Sequence, residues 1–230
     1  IGMNLKRKPG PHSLNTICRR IASLSAAHEA QKMENPCRIK EVSTLLSKAR
    51  RASVRQGNVP VKKKALTRDL LELLISTCDD SLIGIRDKAL LLFSFASGGR
   101  RRSEVASAMV KDLTRVEGGY VYHLPCSKTD QEGIGNDLPL LGKAALALDE
   151  WLRVSGIVDG SLFRAITKAG IIRDSITDKT VNRVVKKRVK MAGLDPKLFG
   201  GHSLRSGFVT EAGRQGMNLG DTMALSGHKT

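Results

Sequence analysis

Gly200-Gly201-His202-Ser203-Leu204-Arg205-Ser206-Gly207, followed near the end of the chain by Leu225-Ser226-Gly227-His228, is the stretch on which the whole sequence turns. Two glycines open a helix there, and the first backbone N–H groups of a helix have no partner within it. His202 and Arg205 stand three apart and project from one face. Such a helix start attracts an anion through its dipole and its open donors. An arginine grips phosphate oxygens with two parallel hydrogen bonds, and a histidine moves a proton near neutral pH. The same residues also read as an ordinary capped helix, with Arg205 in solvent and His202 packed and hydrogen-bonded. The rest of the chain decides between these readings.

The chain has 230 residues, of which 40% are apolar, enough for a sizeable core in one large domain or two modest ones. Only 3% are aromatic, so the core is built from Leu, Ala, Val and Ile, a composition that favours helices over a β-sandwich. Formal net charge is +17 and uneven: residues 1–65 hold 15 Lys/Arg against 3 Asp/Glu, a net of +12, leaving +5 for the other 165 residues. A basic N-terminal third ahead of a nearly balanced remainder suits a module that grips nucleic acid, joined to a more specialised part. The four cysteines, Cys18, Cys37, Cys78 and Cys126, are far apart and form no C-x-x-C pair. They read as reduced thiols in a cytoplasmic protein, without a metal site or a cofactor. No apolar run approaches the roughly 18 residues of a membrane span, and the N-terminus lacks the apolar core of a signal peptide.

Residues 1–11 form a basic, Gly/Pro-punctuated lead that begins without an initiator methionine, as an internal fragment would. Leu14, Ile17, Ile21 and Leu24 then recur at helical spacing behind a capping Ser13, with Arg19 and Arg20 on another face. A second helix is expected over residues 39–54. Its stripe is Val42, Leu45, Leu46 and Ala49, and its other face carries Lys40, Lys48, Arg50, Arg51 and Arg55. Two amphipathic helices with cationic outer faces read as a phosphate-contacting module, or more plainly as solvated faces. Gly57, Pro60 and Lys62-Lys63-Lys64 mark an exposed basic linker, which divides the chain into residues 1–58, a linker at 59–66 and a second domain at 67–230.

Thr67 is placed to cap an amphipathic helix carrying Leu70, Leu71, Leu73 and Leu74, and residues 79–97 hold a buried helix around Ala89-Leu90-Leu91-Leu92-Phe93. That helix ends at Ser97-Gly98-Gly99, and Arg100-Arg101-Arg102-Ser103-Glu104-Val105 starts the next. The arginines read as surface charge, or as a second phosphate seat in which Glu104 orients the Arg101 guanidinium. Over residues 112–140 the period becomes strand-like. Tyr120-Val121-Tyr122-His123-Leu124 is rich in β-formers, Gly118-Gly119 is a turn, and Pro139 confines Leu138-Pro139-Leu140 to a short edge strand. Lys128 falls at the tip of a polar turn. Helices resume over 143–154 and 179–191, the latter with Lys186, Lys187, Arg188 and Lys190, and residues 219–225 form the last. The fold class is mainly α with a small antiparallel β-sheet (α+β).

Arg101 in Gly-Gly-Arg-Arg-Arg-Ser-Glu-Val, Lys128 in a β-turn, His202-x-x-Arg205 and Gly227-His228, in this order, resemble the tyrosine recombinase (phage integrase) family. The resemblance covers residues 66–230. Residues 12–56 resemble the later part of the helical core-binding domain that precedes the family's DNA breaking-rejoining catalytic domain. It implies a site-specific recombinase that binds double-stranded DNA and cuts one strand with a tyrosine. A 3′-phosphotyrosine intermediate then passes to a 5′-hydroxyl, without metal or ATP, in the integration or excision of a mobile element. Arg101 and Arg205 would neutralise the phosphorane oxygens with help from His228, Lys128 would protonate the leaving 5′-oxygen, His202 would accept or orient the tyrosine's proton, and Glu104 would brace the group. DNA contacts are expected from Arg19, Arg20, Lys48, Arg50, Arg51, Lys62, Lys63, Lys64, Arg100 and Arg102. The two modules are expected to clamp the duplex, with protomers forming a tetramer on two duplexes.

One part of the pattern is missing. The family's tyrosine follows the last histidine, and this chain stops at Thr230, two residues past His228. Tyr120 and Tyr122 fall in the expected sheet, where the family has no nucleophile. The sequence is therefore expected to be a fragment, with the nucleophile just after Thr230. The alternatives are a catalytically dead DNA-binding remnant, a type IB topoisomerase-like enzyme, and a metal-free phosphodiesterase or RNA-binding protein using the same His, Lys and Arg groups.

Overall fold

The computed structural model describes residues 12–58, 62–125 and 135–227, and the chain divides into two compact units, Ile1–Val61 and Lys62–Thr230. In the first unit the apolar spacing produces two helices, α1 (Leu14–Ala30) and α2 (Lys40–Arg55). Ser13 caps α1 as expected, its hydroxyl accepting from Thr16 N at 3.3 Å. The connection is held by Asn35, whose Oδ1 accepts from Cys37 N at 3.1 Å while its Nδ2 donates to Glu29 Oε1 at 3.1 Å. No residue of either helix is buried; Ile17, Leu24, Leu45 and Val54 stay 39–68% exposed.

The second unit holds the core. Its helices are α3 (Arg68–Ser76), α4 (Leu82–Ala96), α5 (Arg102–Ser107), α6 (Lys143–Ser155), α7 (Asp178–Met191), α8 (Gly201–Arg214) and α9 (Leu219–Ser226). Between α5 and α6 lies a three-stranded antiparallel sheet in the order β1 (Leu113–Val116), β2 (Gly119–Leu124), β3 (Asn136–Leu141). Pro139 sits opposite Val121 on the edge strand, where its missing N–H removes no inner ladder bond. That strand runs six residues, longer than the sequence reading gives it.

The α4 helix is the axis of this unit. Ile85 and Ala89 through Phe93 are all buried, which is why its sequence is apolar nearly all round. Ser81 caps it through Gly84 N at 3.1 Å. The α6 helix packs along α4 with Trp151 fully buried, its indole N–H donating to Leu162 O at 2.8 Å. Few aromatics are available, and three of them meet: Phe93 packs edge-on against Tyr122 at 4.9 Å and Phe163 at 5.3 Å.

Two expectations need correction. Thr67 occupies the N-cap of α3, but its side chain makes no capping hydrogen bond. Of the stretch read as a linker, residues 62–66 lie along the second unit as a strap: Lys64 N donates to Leu198 O and Leu66 N to Ser203 O, each at 2.8 Å, and Leu66 is fully buried. Gly207 permits this, because a Cβ there would stand 1.9 Å from Leu66 O. Arg188, one of the four cations that the sequence reading names on α7, is buried. Its Nε donates to Asp87 Oδ2 at 2.9 Å, and Arg86 Nη2 reaches Asp87 Oδ1 at 2.6 Å. Among the described residues no helix is long and apolar enough to cross a membrane.

Candidate active site

The α4 helix ends at Ser97, and the chain then turns sharply through Gly98 and Gly99, both in the left-handed region at φ +87° and +72°. A Cβ on Gly99 would lie 2.4 Å from Arg205 Cα, so only glycine lets this turn rest on α8. The turn delivers Arg101 to the N-cap of α5, one helical turn before Glu104. The carboxylate bridges both groups of Arg101: Oε2 accepts from its backbone N–H at 2.9 Å and Oε1 from its Nη1 at 2.7 Å. Arg205 enters from α8 and donates to Gly99 O at 3.4 Å. Together with Arg100, Arg102, Ser103, Asp178, Gly201 and His202, these residues line an open cleft of about 280 Å³.

Charge in the cleft is unbalanced. Arg100, Arg101 and Arg205 gather around a single carboxylate, Glu104, while the half-exposed Arg102 has its own partner in Asp178 at 3.8 Å. Burial, with Arg101 and Arg100 nearby, pushes the Arg205 pKa down to about 10. A cationic group held in partly desolvated, like-charged surroundings favours an incoming anion, which removes the repulsion. His202 is exposed at the cleft, in the first turn of α8.

The helix start differs from the sequence reading in one respect. Two N–H groups expected to be open are taken: Gly201 N donates to Asn182 Oδ1 at 3.0 Å, and Gly200 N to Ser203 Oγ at 3.1 Å. For Gly201 the reason is α7, which lays Asn182 across the N-terminus of α8, and for Gly200 it is Ser203 of α8 itself. Anion attraction here therefore rests on guanidinium groups more than on those two amides. Asn182 and Asp178 are the residues that sequence reasoning missed. They lie four apart on one face of α7, a spacing visible in the sequence, but nothing local says which face meets the cleft.

The structure thus brings Arg101, Glu104, His202 and Arg205 together. Lys128 and His228 lie outside the described residues. Of the arginines and lysines assigned to DNA contact, Arg19, Arg20, Lys48, Arg50 and Arg51 are exposed in the first unit, and Lys62, Lys63 and Lys64 are exposed on the strap. Arg100 departs from that assignment: its side chain is 1% exposed. The two tyrosines are built into the fold. Tyr122 is buried against Phe93, and burial drives its phenol well above the usual tyrosine range. The Tyr120 hydroxyl bonds to Arg115 at 2.6 Å and to Asp149 at 2.5 Å.

Helices grouped on one apolar axis beside a small antiparallel sheet, with a carboxylate-braced arginine cleft, define an α+β domain built around an anion-attracting site. The chain belongs to the phage integrase family, whose sequence model matches residues 64–230. It is 36% identical over 227 residues to an integrase/recombinase xerD homolog of Selenomonas ruminantium, covering 94% of this chain and 65% of that one. It is 24% identical over 232 residues to recombinase cre of Escherichia phage P1, covering 94% and 67% respectively. The chain therefore spans about two thirds of the length of these relatives. Among solved structures, the Tn1549 transposon integrase in complex with transposon right end DNA has the same fold, with a TM-score of 0.66 at 20% identity over 95% of this chain and 73% of that one.

Proposed function

We propose that this chain is the strand-cleaving part of a site-specific DNA recombinase that acts on double-stranded DNA in the integration or excision of a mobile element. The observation that carries this reading is the arrival of Arg101 and Arg205, from two separate helices, at a cleft braced by one carboxylate, Glu104. Kinship with a relative named as an integrase/recombinase supports it, as does the surplus of exposed cations in the first unit.

The chemistry follows from what a phosphodiester needs. As a tyrosine oxygen bonds to phosphorus, negative charge grows on the non-bridging oxygens. Guanidinium groups fixed beforehand stabilise that charge without rearranging. The bond from phosphorus to the 5′-oxygen breaks, and its electron pair leaves with that oxygen. In this reading His202 takes the tyrosine's proton, Lys128 gives one to the 5′-oxygen, and His228 donates a hydrogen bond to a non-bridging oxygen. A 5′-hydroxyl from another strand then displaces the tyrosine and reseals the backbone. Because Tyr120 and Tyr122 are engaged in the fold, the nucleophile is assigned to a tyrosine in sequence that follows Thr230. Synapsis is assigned to a tetramer on two duplexes.

The test is a suicide-substrate assay with a nicked duplex carrying the element's ends and the protein lengthened past Thr230. An adduct that survives denaturant, and disappears when the added tyrosine becomes Phe, supports the reading. Duplex binding without an adduct makes the chain a binding remnant, and hydrolysed product without an adduct makes it a phosphodiesterase.

A further inference from the structure

Arg100 does not resemble its neighbours. Arg101 and Arg102 keep 26% and 43% of their side chains exposed, whereas Arg100 keeps 1%. Its Nη2 donates to the carbonyl oxygen of Leu225, in the last turn of α9, and its Nη1 lies 3.7 Å from Glu104 Oε2. Its backbone N–H donates to Ser94 O at 2.9 Å. One residue thereby joins the end of α4, the carboxylate that braces Arg101, and the C-terminal turn of α9. The chemistry suits all three. Carbonyls in the last turn of a helix lack partners within it and carry the negative end of its dipole. A guanidinium offers separate nitrogens in a fixed plane, so it can serve a carbonyl and a carboxylate at once.

The surroundings leave the contact little room. Gly98, at φ +87°, lies so close that a Cβ would stand 2.1 Å from Leu225 O. Burial lowers the Arg100 pKa, and Glu104 opposes that shift. A guanidinium this enclosed is poorly placed to meet a duplex directly.

We propose that Arg100 is a positioning residue: it locks the C-terminal turn of α9 to the Arg101–Glu104 pair and so fixes the point from which the chain past Gly227 continues. This rests on reading the cleft as the strand-cleaving site, because the sequence past Gly227 carries His228 and, in that reading, leads to the nucleophile. Its consequence is that the phosphate-holding arginines and the attacking segment are set by one shared contact.

The test uses the lengthened protein and three variants. Arg100→Met removes the fork and keeps the stem. Arg100→Lys keeps the charge without the fork. Gly98→Ala keeps the Arg100 side chain but drives a methyl group into the Leu225 carbonyl and to 3.0 Å from Arg100 Nη2, so it breaks the same contact from the other side if the buried arginine variants fold poorly. Deuterium exchange is read in peptides from α8 and α9, and single-turnover adduct formation is read at saturating DNA beside duplex affinity. Arg100→Met and Gly98→Ala should speed exchange in α9 by about tenfold while sparing α8. Both should slow adduct formation by about a hundredfold with duplex affinity nearly unchanged, and Arg100→Lys should recover part of the rate. Unchanged α9 exchange would overturn the proposal. So would affinity that falls in step with rate, which would make Arg100 a DNA contact. A wild-type protein that forms no adduct would count against the recombinase reading alone, and α9 exchange would still decide the latch.

Discussion

The described arginines of the first unit stand in water, while those that matter most in the second are enclosed. Arg19, Arg20, Arg50 and Arg51 project from two helices without a buried residue. Arg86, Arg100, Arg188 and Arg205 are buried, each with a carboxylate or carbonyl partner. Hydrated cations attract a polyanion over a distance, with little demand on geometry and strong sensitivity to salt. Enclosed cations hold fixed positions, and lowered polarity strengthens every interaction they make. In the proposed reading, the two halves of one basic chain use the same residue type for opposite purposes, grip in one unit and placement in the other.

The largest expected effect tests whether the enclosed arginines depend on their partners. Asp87 is fully buried between Arg86 and Arg188. Asp87→Asn should destabilise the second unit by about 3–5 kcal/mol in urea denaturation, because two buried cations lose their counter-charge. Arg50→Ala should shift stability by no more than about 0.5 kcal/mol. Equal effects would erase the contrast.

Next comes anion binding at the cleft. With Arg205 depressed to about pH 10, its charged form is disfavoured in the fold below that pH, and the penalty fades as pH rises through it. Inorganic phosphate should offset that penalty and stabilise the fold by about 2.7 kcal/mol at a hundred times its Kd, read as a raised thermal midpoint. The gain should shrink above about pH 10, where Arg205 loses its proton. A gain independent of pH would place the anion elsewhere. Glu104→Gln, which keeps the shape and removes the bracing charge, should destabilise by about 2 kcal/mol in the same urea experiment. The smallest effect belongs to the first unit: Arg50→Ala and Arg51→Ala should each reduce the salt slope of duplex binding by about 1, with a few-fold loss of affinity.

How much of this could be read beforehand depends on the range of the interactions. Ser13, the apolar spacing of α1 and the all-round apolar run of α4 are local signals, and each produces the expected element. Pro139 at the edge strand and Glu104 one turn after Arg101 are equally local, and both stand as the spacing requires. What was not legible shares one cause, a partner distant in sequence. Arg188 pairs with Asp87 across 101 positions, Arg100 reaches Leu225 across 125, and Gly201 is capped by Asn182 from another helix. In the sequence a buried arginine and a solvated one look alike, because what distinguishes them is the packing around the side chain. The basic strap misled in the same way: Lys62, Lys63 and Lys64 carry a linker's composition, while Leu66 and Gly207 hold that stretch to α8.

The most direct measurement compares Arg205→Ala with the Arg50→Ala/Arg51→Ala pair in the lengthened protein, reading single-turnover adduct formation and duplex affinity together. Arg205→Ala should slow adduct formation by about 10²–10³ while leaving affinity within a few-fold. The Arg50→Ala/Arg51→Ala pair should weaken binding, less so as salt rises because fewer counterions are released, and leave the rate at saturating DNA nearly intact. If both variants instead lose rate and affinity in the same proportion, the division between gripping and placing arginines is wrong.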